Sequence, residues 1–247
     1  MAEPVNYNDR VLIVGKTQSG KTELARHLFL SMNGAQRFAI DPKGLLDLGV
    51  EPVRNPLAID WEAPITHYIP SVQDRHEYEE LYDLLWGHRG PPMLVWLDEA
   101  MGPTMAGYGP RSMNLAVRQG AAMRFGHYAC SQRPQNIAMQ LRTEAEHIFV
   151  FVPPIHHRDL DELAREMLIS TPDLTERLRA LHESEGDFAF LWYCRATNEI
   201  TEFAPLDLGG GALAPAELEE ELELEEELEE ELEREGGAPV GGPGGPG

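Results

Sequence analysis

The chain has 247 residues, 42% of them hydrophobic and 25% charged, which is enough for one large α/β domain with its own core. A formal net charge of −22 excludes a protein whose whole surface binds nucleic acid, so any contact with DNA must be local. Two cysteines exclude a disulfide framework, and without a signal pattern or an apolar run of about 18 residues we expect a soluble protein of the reducing cytoplasm.

Short apolar runs alternate with helical segments between residues 11 and 203. Strands are predicted at 11–14, 37–40, 65–69, 93–97, 128–130 and 146–152. Helices are predicted at 23–32, 76–86, 113–125 and 158–168, and the segment 187–203 is typical of a hairpin. This alternation predicts an α/β fold whose central sheet is mostly parallel, with right-handed crossovers.

The stretch GKTQSGKT at 15–22 lies between a buried strand and an amphipathic helix, and it matches the phosphate-binding pattern G-x-x-x-x-G-K-[ST] in full. Its backbone amides can surround phosphate oxygens at the positive end of the helix. Lys21 is expected to reach the β- and γ-phosphates, and Thr22 to bind Mg²⁺. The predicted ATP-binding residues are Gly15, Lys16, Thr17, Gln18, Ser19, Gly20, Lys21 and Thr22, with Lys16 as a peripheral charge.

The stretch MLVWLDEA ends an apolar strand in two carboxylates, Asp98 and Glu99. Asp98 is expected to hold the Mg²⁺ beside the phosphate-binding loop. Glu99 is placed to polarise a water molecule for attack on the γ-phosphate. The alternative is an acidic pair that merely complements a helix dipole. Kinases for small molecules need no such glutamate, so the pair favours a hydrolytic enzyme.

In the stretch YACSQRPQNI at 128–137, another short strand ends in an amide and a guanidinium side chain. If that strand lies beside Asp98, the Gln132 amide can contact both the γ-phosphate and the attacking water. Gln132 would then report which nucleotide is bound to the chain that follows. The alternative is a glutamine that only caps the next turn.

The stretches GKTQSGKT, AIDPKG (39–44), VWLDEA and SQRP, in this order, resemble the HerA/FtsK superfamily of ring-forming DNA translocases over about residues 10–205. The small size looks most like the genome-packaging ATPases of tailless, internal-membrane-containing icosahedral viruses. The resemblance implies a RecA-like core, a homo-oligomeric ring of six subunits, and ATP hydrolysis between subunits that drives double-stranded DNA into a capsid. It also implies a capsid-vertex or internal-membrane partner, and a location in the host cytoplasm and at the virion vertex.

The resemblance further implies that Lys43, in the DPKG turn, lies near the nucleotide or the subunit interface. A ring ATPase also needs an arginine from a neighbouring subunit to neutralise transition-state charge. The sequence departs from relatives that carry a basic pair before the SQRP strand, since Ala121 and Ala122 stand there. The candidates for the arginine are Arg118, Arg124 and Arg158, and the sequence does not choose among them.

Two further segments carry open alternatives. The Gly- and Pro-rich loop at 101–114, which contains Arg111, either lines a ring pore and touches DNA phosphates or is an ordinary surface loop. Beyond an ATPase domain at 1–208, we predict a linker at 209–216, an acidic amphipathic helix at 217–235 and a disordered tail at 236–247. The leucine stripe of that helix either docks on a partner or belongs to a solvated acidic tail.

Three other functions share parts of this pattern. A cellular or conjugative DNA translocase would have the same site. A phage-assembly ATPase that acts on protein has similar motifs but normally has a membrane segment. A small-molecule kinase with a phosphate-binding loop is disfavoured by Asp98, Glu99 and Gln132 together.

Overall fold

The apolar run after Arg10 forms the central strand of an eight-stranded sheet in the computed structural model, which describes residues 4–100, 109–153 and 156–206. The strands are β1 (Arg10–Val14), β2 (Gln36–Ile40), β3 (Ile65–Tyr68), β4 (Met93–Leu97), β5 (Phe125–Ser131), β6 (His147–Phe151), β7 (Phe190–Cys194) and β8 (Glu199–Phe203). Their spatial order is β3-β2-β4-β5-β1-β6-β7-β8. All neighbours from β3 to β6 are parallel, and β7 and β8 form the antiparallel hairpin. The predicted α/β fold with a mostly parallel sheet is confirmed.

Among the described residues, six helices connect these strands. They are α1 (Lys21–Ser31), α2 (Arg75–Gly87), α3 (Arg111–Met123), α4 (Met139–Thr143), α5 (His157–Glu166) and α6 (Thr171–Glu185). Short 3-10 turns occupy Pro56–Ala58 and Pro134–Asn136. The predicted linker, acidic helix and Gly/Pro tail, and residues 101–108 of the predicted pore loop, lie outside the described residues.

The helix predicted at 113–125 is wrong at both ends. It begins at Arg111 and ends at Met123. Arg124 has a left-handed backbone with φ 59°, which breaks the helix, and Phe125 already pairs with Met93 as the first residue of β5. The pairing of Phe125 with β4 therefore outweighed the helical spacing of the apolar residues.

Helix α6 is not among the helices predicted from the sequence. The Ser170 hydroxyl accepts a hydrogen bond from the Asp173 amide at 3.2 Å, and proline occupies the first turn. Leu174, Leu178 and Leu181 are buried at helical spacing. These start signals and the apolar spacing were both present in the sequence.

Both faces of the sheet are covered, but unequally. Helices α2 to α6 pack on one face around a large apolar cluster that includes Leu12, Val95 and Leu97. On the other face, α1 buries Phe29 against Trp96, with the ring centroids 5.4 Å apart. Because the central strands are buried on both sides, their sequences are continuous apolar runs.

The strand order places three connections at one edge. β1 lies between β5 and β6, and β5 separates β1 from β4. The loops that leave the carboxyl ends of β1, β4 and β5 therefore meet at one place, where strand order reverses around β1. Such a reversal is where open parallel sheets bind ligands. Within residues 4–100, 109–153 and 156–206, no helix combines the length and apolar character needed to cross a membrane.

One buried histidine makes stability depend on pH. His127 of β5 is 1% exposed, and Tyr82 Oη lies 2.7 Å from its Nε2. Burial lowers the pKa of His127 to about 3. The unfolded imidazole takes up a proton near its usual pKa of about 6.5 while the folded one stays neutral, so this contribution to stability is full above pH 6.5 and is lost as pH falls toward 3.

We therefore expect His127→Gln to flatten the pH dependence of unfolding between pH 4 and 6. The slope of the unfolding free energy should decrease by about 1.4 kcal/mol per pH unit, because one fewer proton is taken up on unfolding. Urea titrations at several pH values measure this slope. Tyr82→Phe keeps the buried imidazole and should keep the slope, and equal slopes for wild type and His127→Gln would contradict the assignment.

Candidate functional site

The loop at 15–22, named the phosphate-binding loop after the sequence pattern that it matches, follows β1 where that strand lies between β5 and β6. The Gly15 amide donates to the Ser131 carbonyl at 3.3 Å, which ties the start of the loop to the end of β5. A Cβ added to Gly15 would lie 2.4 Å from Ser19 Oγ and 2.8 Å from Phe151 Cβ. Gly20, with φ 93°, is the N-cap of α1. Both loop glycines are thus required by geometry, one by close approach and one by its backbone angle.

Lys21 is held inside this loop. Its side-chain ammonium donates to the Lys16 carbonyl at 2.5 Å, and the residue is 8% exposed. Burial lowers the pKa of Lys21, and the nearby carboxylates of Asp98 and Glu99 oppose that shift. A buried ammonium at the start of a helix is suited to an anionic ligand with several oxygens.

Thr22 and Asp98 face each other across the loop. Thr22 Oγ1 donates to Asp98 Oδ1 at 3.3 Å. Burial raises the pKa of Asp98 to about 6, and the negative charges of Asp41 and Glu99 add to the shift. A hydroxyl and a carboxylate oxygen are the ligands that Mg²⁺ prefers, and a cation would offset the concentrated negative charge. These two residues fit the predicted metal position.

Glu99 and Gln132 meet although 33 positions separate them. The Gln132 amide donates to Glu99 Oε2 at 3.1 Å. Glu99 has a left-handed backbone with φ 56°. Its Oε1 is buried, and no hydrogen bond to it is found within the part of the chain that the structure describes. A carboxylate oriented by an amide, with one oxygen free of protein donors, can accept a proton from water.

A buried aspartate that is not among the predicted site residues lies beside these groups. Asp41, at the end of β2, accepts hydrogen bonds from the amides of Gly44 at 2.7 Å and Leu46 at 2.8 Å, and His67 Nε2 lies 3.0 Å away. Burial would raise the pKa of Asp41, but these hydrogen bonds outweigh it and hold the pKa below its usual value. The carboxylate therefore shapes the AIDPKG turn.

That turn presents Lys43 near the loop. Lys43 is exposed, and its positive charge is close enough to contribute to the lowered pKa of Lys21. The signal for Asp41 was available, because it ends an apolar strand as Asp98 does. No signal marked His67, which lies within a strand.

The three candidate arginines are exposed and lie on separate elements: Arg118 in α3, Arg124 before β5 and Arg158 in α5. Arg124 stands at the amino end of β5, the opposite edge of the sheet from the phosphate-binding loop. Across the described ranges, no hydrogen bond or ion pair joins their side chains to the site. The structure therefore shows no direct contact between these arginines and the site, and Arg111 is likewise exposed at the start of α3.

The segment after Gln132 is attached to α5. The Gln135 amide donates to Asp159 Oδ1 at 3.3 Å, and Arg133 Nε lies 3.9 Å from Asp159 Oδ2. Asp159 is 1% exposed. A buried carboxylate thus connects the end of β5 to the helix that carries Arg158.

The fold is similar to that of viral packaging enzymes. The genome packaging NTPase B204 from Sulfolobus turreted icosahedral virus 2, in complex with AMPPCP, matches with a TM-score of 0.66 and 18% sequence identity, over 82% of this chain and 100% of that one. B204, the DNA-packaging ATPase from Sulfolobus Turreted Icosahedral Virus, matches with a TM-score of 0.65 and 16% identity over the same shares. No protein-family model matches the sequence, and no curated protein does so at a significant level. At these identities the likeness shows a shared fold.

We expect Gly15→Ala to distort the loop and weaken nucleotide binding. The added Cβ would overlap Ser19 and Phe151, and overpacking of this kind costs about 1–3 kcal/mol. Urea unfolding and the Kd for ATP measure the two effects. Gly87→Ala is the matched control, since its added Cβ would have no atom within 4 Å. Equal stability and equal affinity for both variants would show that the loop tolerates a side chain at Gly15.

Proposed function

We propose that this protein is an ATPase that packages a viral genome, a ring-shaped motor that moves double-stranded DNA into a capsid. The observation that carries the proposal is the Glu99–Gln132 hydrogen bond beside the Thr22–Asp98 pair. This arrangement suits hydrolysis, because it provides an oriented base next to a phosphate- and metal-binding loop. The fold shared with B204, whose structures hold AMPPCP and ATP-γS, supports the same function.

The proposed division of labour follows from the positions of the side chains. Lys21 and the amides of the loop hold the phosphates of ATP. Mg²⁺, held by Thr22 and Asp98, supplies charge neutralisation at the phosphate oxygens when it is bound. Glu99 accepts a proton from water as the water oxygen attacks the γ-phosphorus, and the bond from that phosphorus to the bridging oxygen breaks.

Gln132 connects this chemistry to movement. Its amide already contacts Glu99, and the chain that follows is anchored to the buried Asp159 of α5. A change in the hydrogen bonding of Gln132 on loss of the γ-phosphate therefore has a short structural route to α5. In this proposal, α5 and its Arg158 report the nucleotide state to the rest of the ring.

The ring supplies what one subunit lacks. Arg118, Arg124 and Arg158 are exposed, so each is accessible to a neighbouring subunit. We assign the transition-state arginine to one of these three, acting in a homo-oligomer of six subunits. The partners are double-stranded DNA, bound locally by exposed arginines such as Arg111, and a capsid-vertex or internal-membrane protein. The motor would act in the host cytoplasm and at the virion vertex.

Lys21→Ala and Glu99→Gln should fail at different steps. Lys21→Ala removes the buried positive charge, so ATP binding should be lost. Glu99→Gln should bind ATP with near wild-type affinity and hydrolyse it about 10²–10⁴ times more slowly, because only the base is removed. Equilibrium binding and phosphate release measure the two steps. Hydrolysis by Glu99→Gln near the wild-type rate would show that another group activates the water.

Double-stranded DNA should stimulate ATP hydrolysis several-fold at low salt. The stimulation should decline steeply as salt is raised, because displaced counterions drive the contacts with phosphates. Steady-state phosphate release, measured over a titration with a DNA duplex at two salt concentrations, tests this expectation. Glu99→Gln is the control for contaminating ATPases. A hydrolysis rate independent of DNA at every salt concentration would contradict a DNA motor and favour an ATPase that acts on protein.

A further inference from the structure

Phe188 has an unusual position for a large apolar residue. It lies in the turn between α6 and β7, its backbone is left-handed with φ 68°, and the residue is 51% exposed. Glycine or asparagine adopts this backbone conformation at lower cost, and an aromatic side chain that is half in water gains little from burial. Backbone strain of this kind concentrates at ligand-binding sites.

The ring of Phe188 lies beside the phosphate-binding loop. A Cβ placed on Gly20 would be 3.4 Å from Phe188 Cδ1 and 3.1 Å from Phe151 Cε1. The group continues from Phe151 to Phe190, with ring centroids 5.0 Å apart, and from Phe190 to Phe203, with ring centroids 5.2 Å apart. Phe188 is therefore the exposed member of an aromatic group that borders the loop at the start of α1.

The strand order indicates what would lie against this ring. The groups suited to hydrolysis, Glu99 and Gln132, leave β4 and β5 on one side of β1. Phe151 and Phe188 belong to β6 and to the turn before β7, on the other side of β1. A nucleotide whose γ-phosphate faces Glu99 must extend away from it across the loop. Its nucleoside end therefore leaves the loop on the side of β6 and β7.

We propose that the exposed face of Phe188 is the stacking platform for the base of the bound nucleoside triphosphate. This inference rests on the proposed ATPase function and names the side chain that receives the base. Stacking on an aromatic face tolerates any base, since every base has a π face. The contribution of Phe188 to affinity is accordingly the same for ATP and GTP, and it is absent for a ligand that has no base.

Binding of three ligands to the full chain tests this assignment: ATP, GTP and inorganic tripolyphosphate. Phe188→Ala should weaken ATP and GTP binding by the same factor, about 5- to 100-fold, and leave the Kd for tripolyphosphate unchanged. Phe188→Trp should restore the binding of both nucleotides. In steady-state hydrolysis, Phe188→Ala should raise KM while kcat changes little, because the base is remote from the reacting phosphate.

Two further variants separate stacking from packing. Phe188→Leu keeps apolar volume without a π face and should bind nucleotides nearly as weakly as Phe188→Ala. Leu168→Ala removes another exposed apolar side chain with a left-handed backbone, two residues after the end of α5, and should change nothing. If Phe188→Ala weakens tripolyphosphate binding equally, or leaves ATP binding intact, the stacking role is wrong while the ATPase proposal stands. If wild-type protein binds neither ATP nor tripolyphosphate, both proposals fail.

Discussion

The candidate site depends on the hydrogen bonds that hold β5 between β1 and β4. The Gly15 amide, which opens the phosphate-binding loop, donates to the Ser131 carbonyl at 3.3 Å, and the Ala100 amide, just after the acidic pair, donates to the Cys130 carbonyl at 2.7 Å. The loops after β1 and β4 therefore leave the sheet attached to consecutive carbonyls of one strand. Rigid attachment to a buried strand fixes the relative positions of functional groups better than loop contacts could.

Charge is then unequally distributed along that edge of the sheet. On the side of β4 and β5, Asp98 and Glu99 concentrate negative charge near the buried ammonium of Lys21, and Asp41 adds its negative charge beside Asp98. Burial amplifies these mutual effects. On the side of β6 and β7, the loop borders Phe151 and the other aromatic rings. This edge of the sheet therefore has a charged end, suited to phosphate chemistry, and an apolar end. The loop at 15–22 borders both ends.

Some parts of this arrangement could be predicted because their signals are local. The phosphate-binding loop and the acidic pair are each continuous in sequence, and their flanking apolar runs identify buried strands. Other parts depend on contacts that have no local signal. Asp41 ends an apolar strand and was recognisable in that way, but nothing in the sequence around His67 predicts its contact with Asp41, 26 positions away. Phe188 lies in a hairpin-like segment, and its importance depends on its distance from Gly20 in space.

The sequence by itself determined the α/β class, the loop at 15–22 and the polar residues that end three strands, because backbone periodicity and turn chemistry are read over a few residues. The tertiary structure decided which strands are neighbours and therefore that Gln132 meets Glu99. It also decided that the helix before β5 ends at Met123, since Phe125 gains a partner in Met93. Strand order is set by burial and pairing between distant segments, and those energies are not written in any single stretch of the chain.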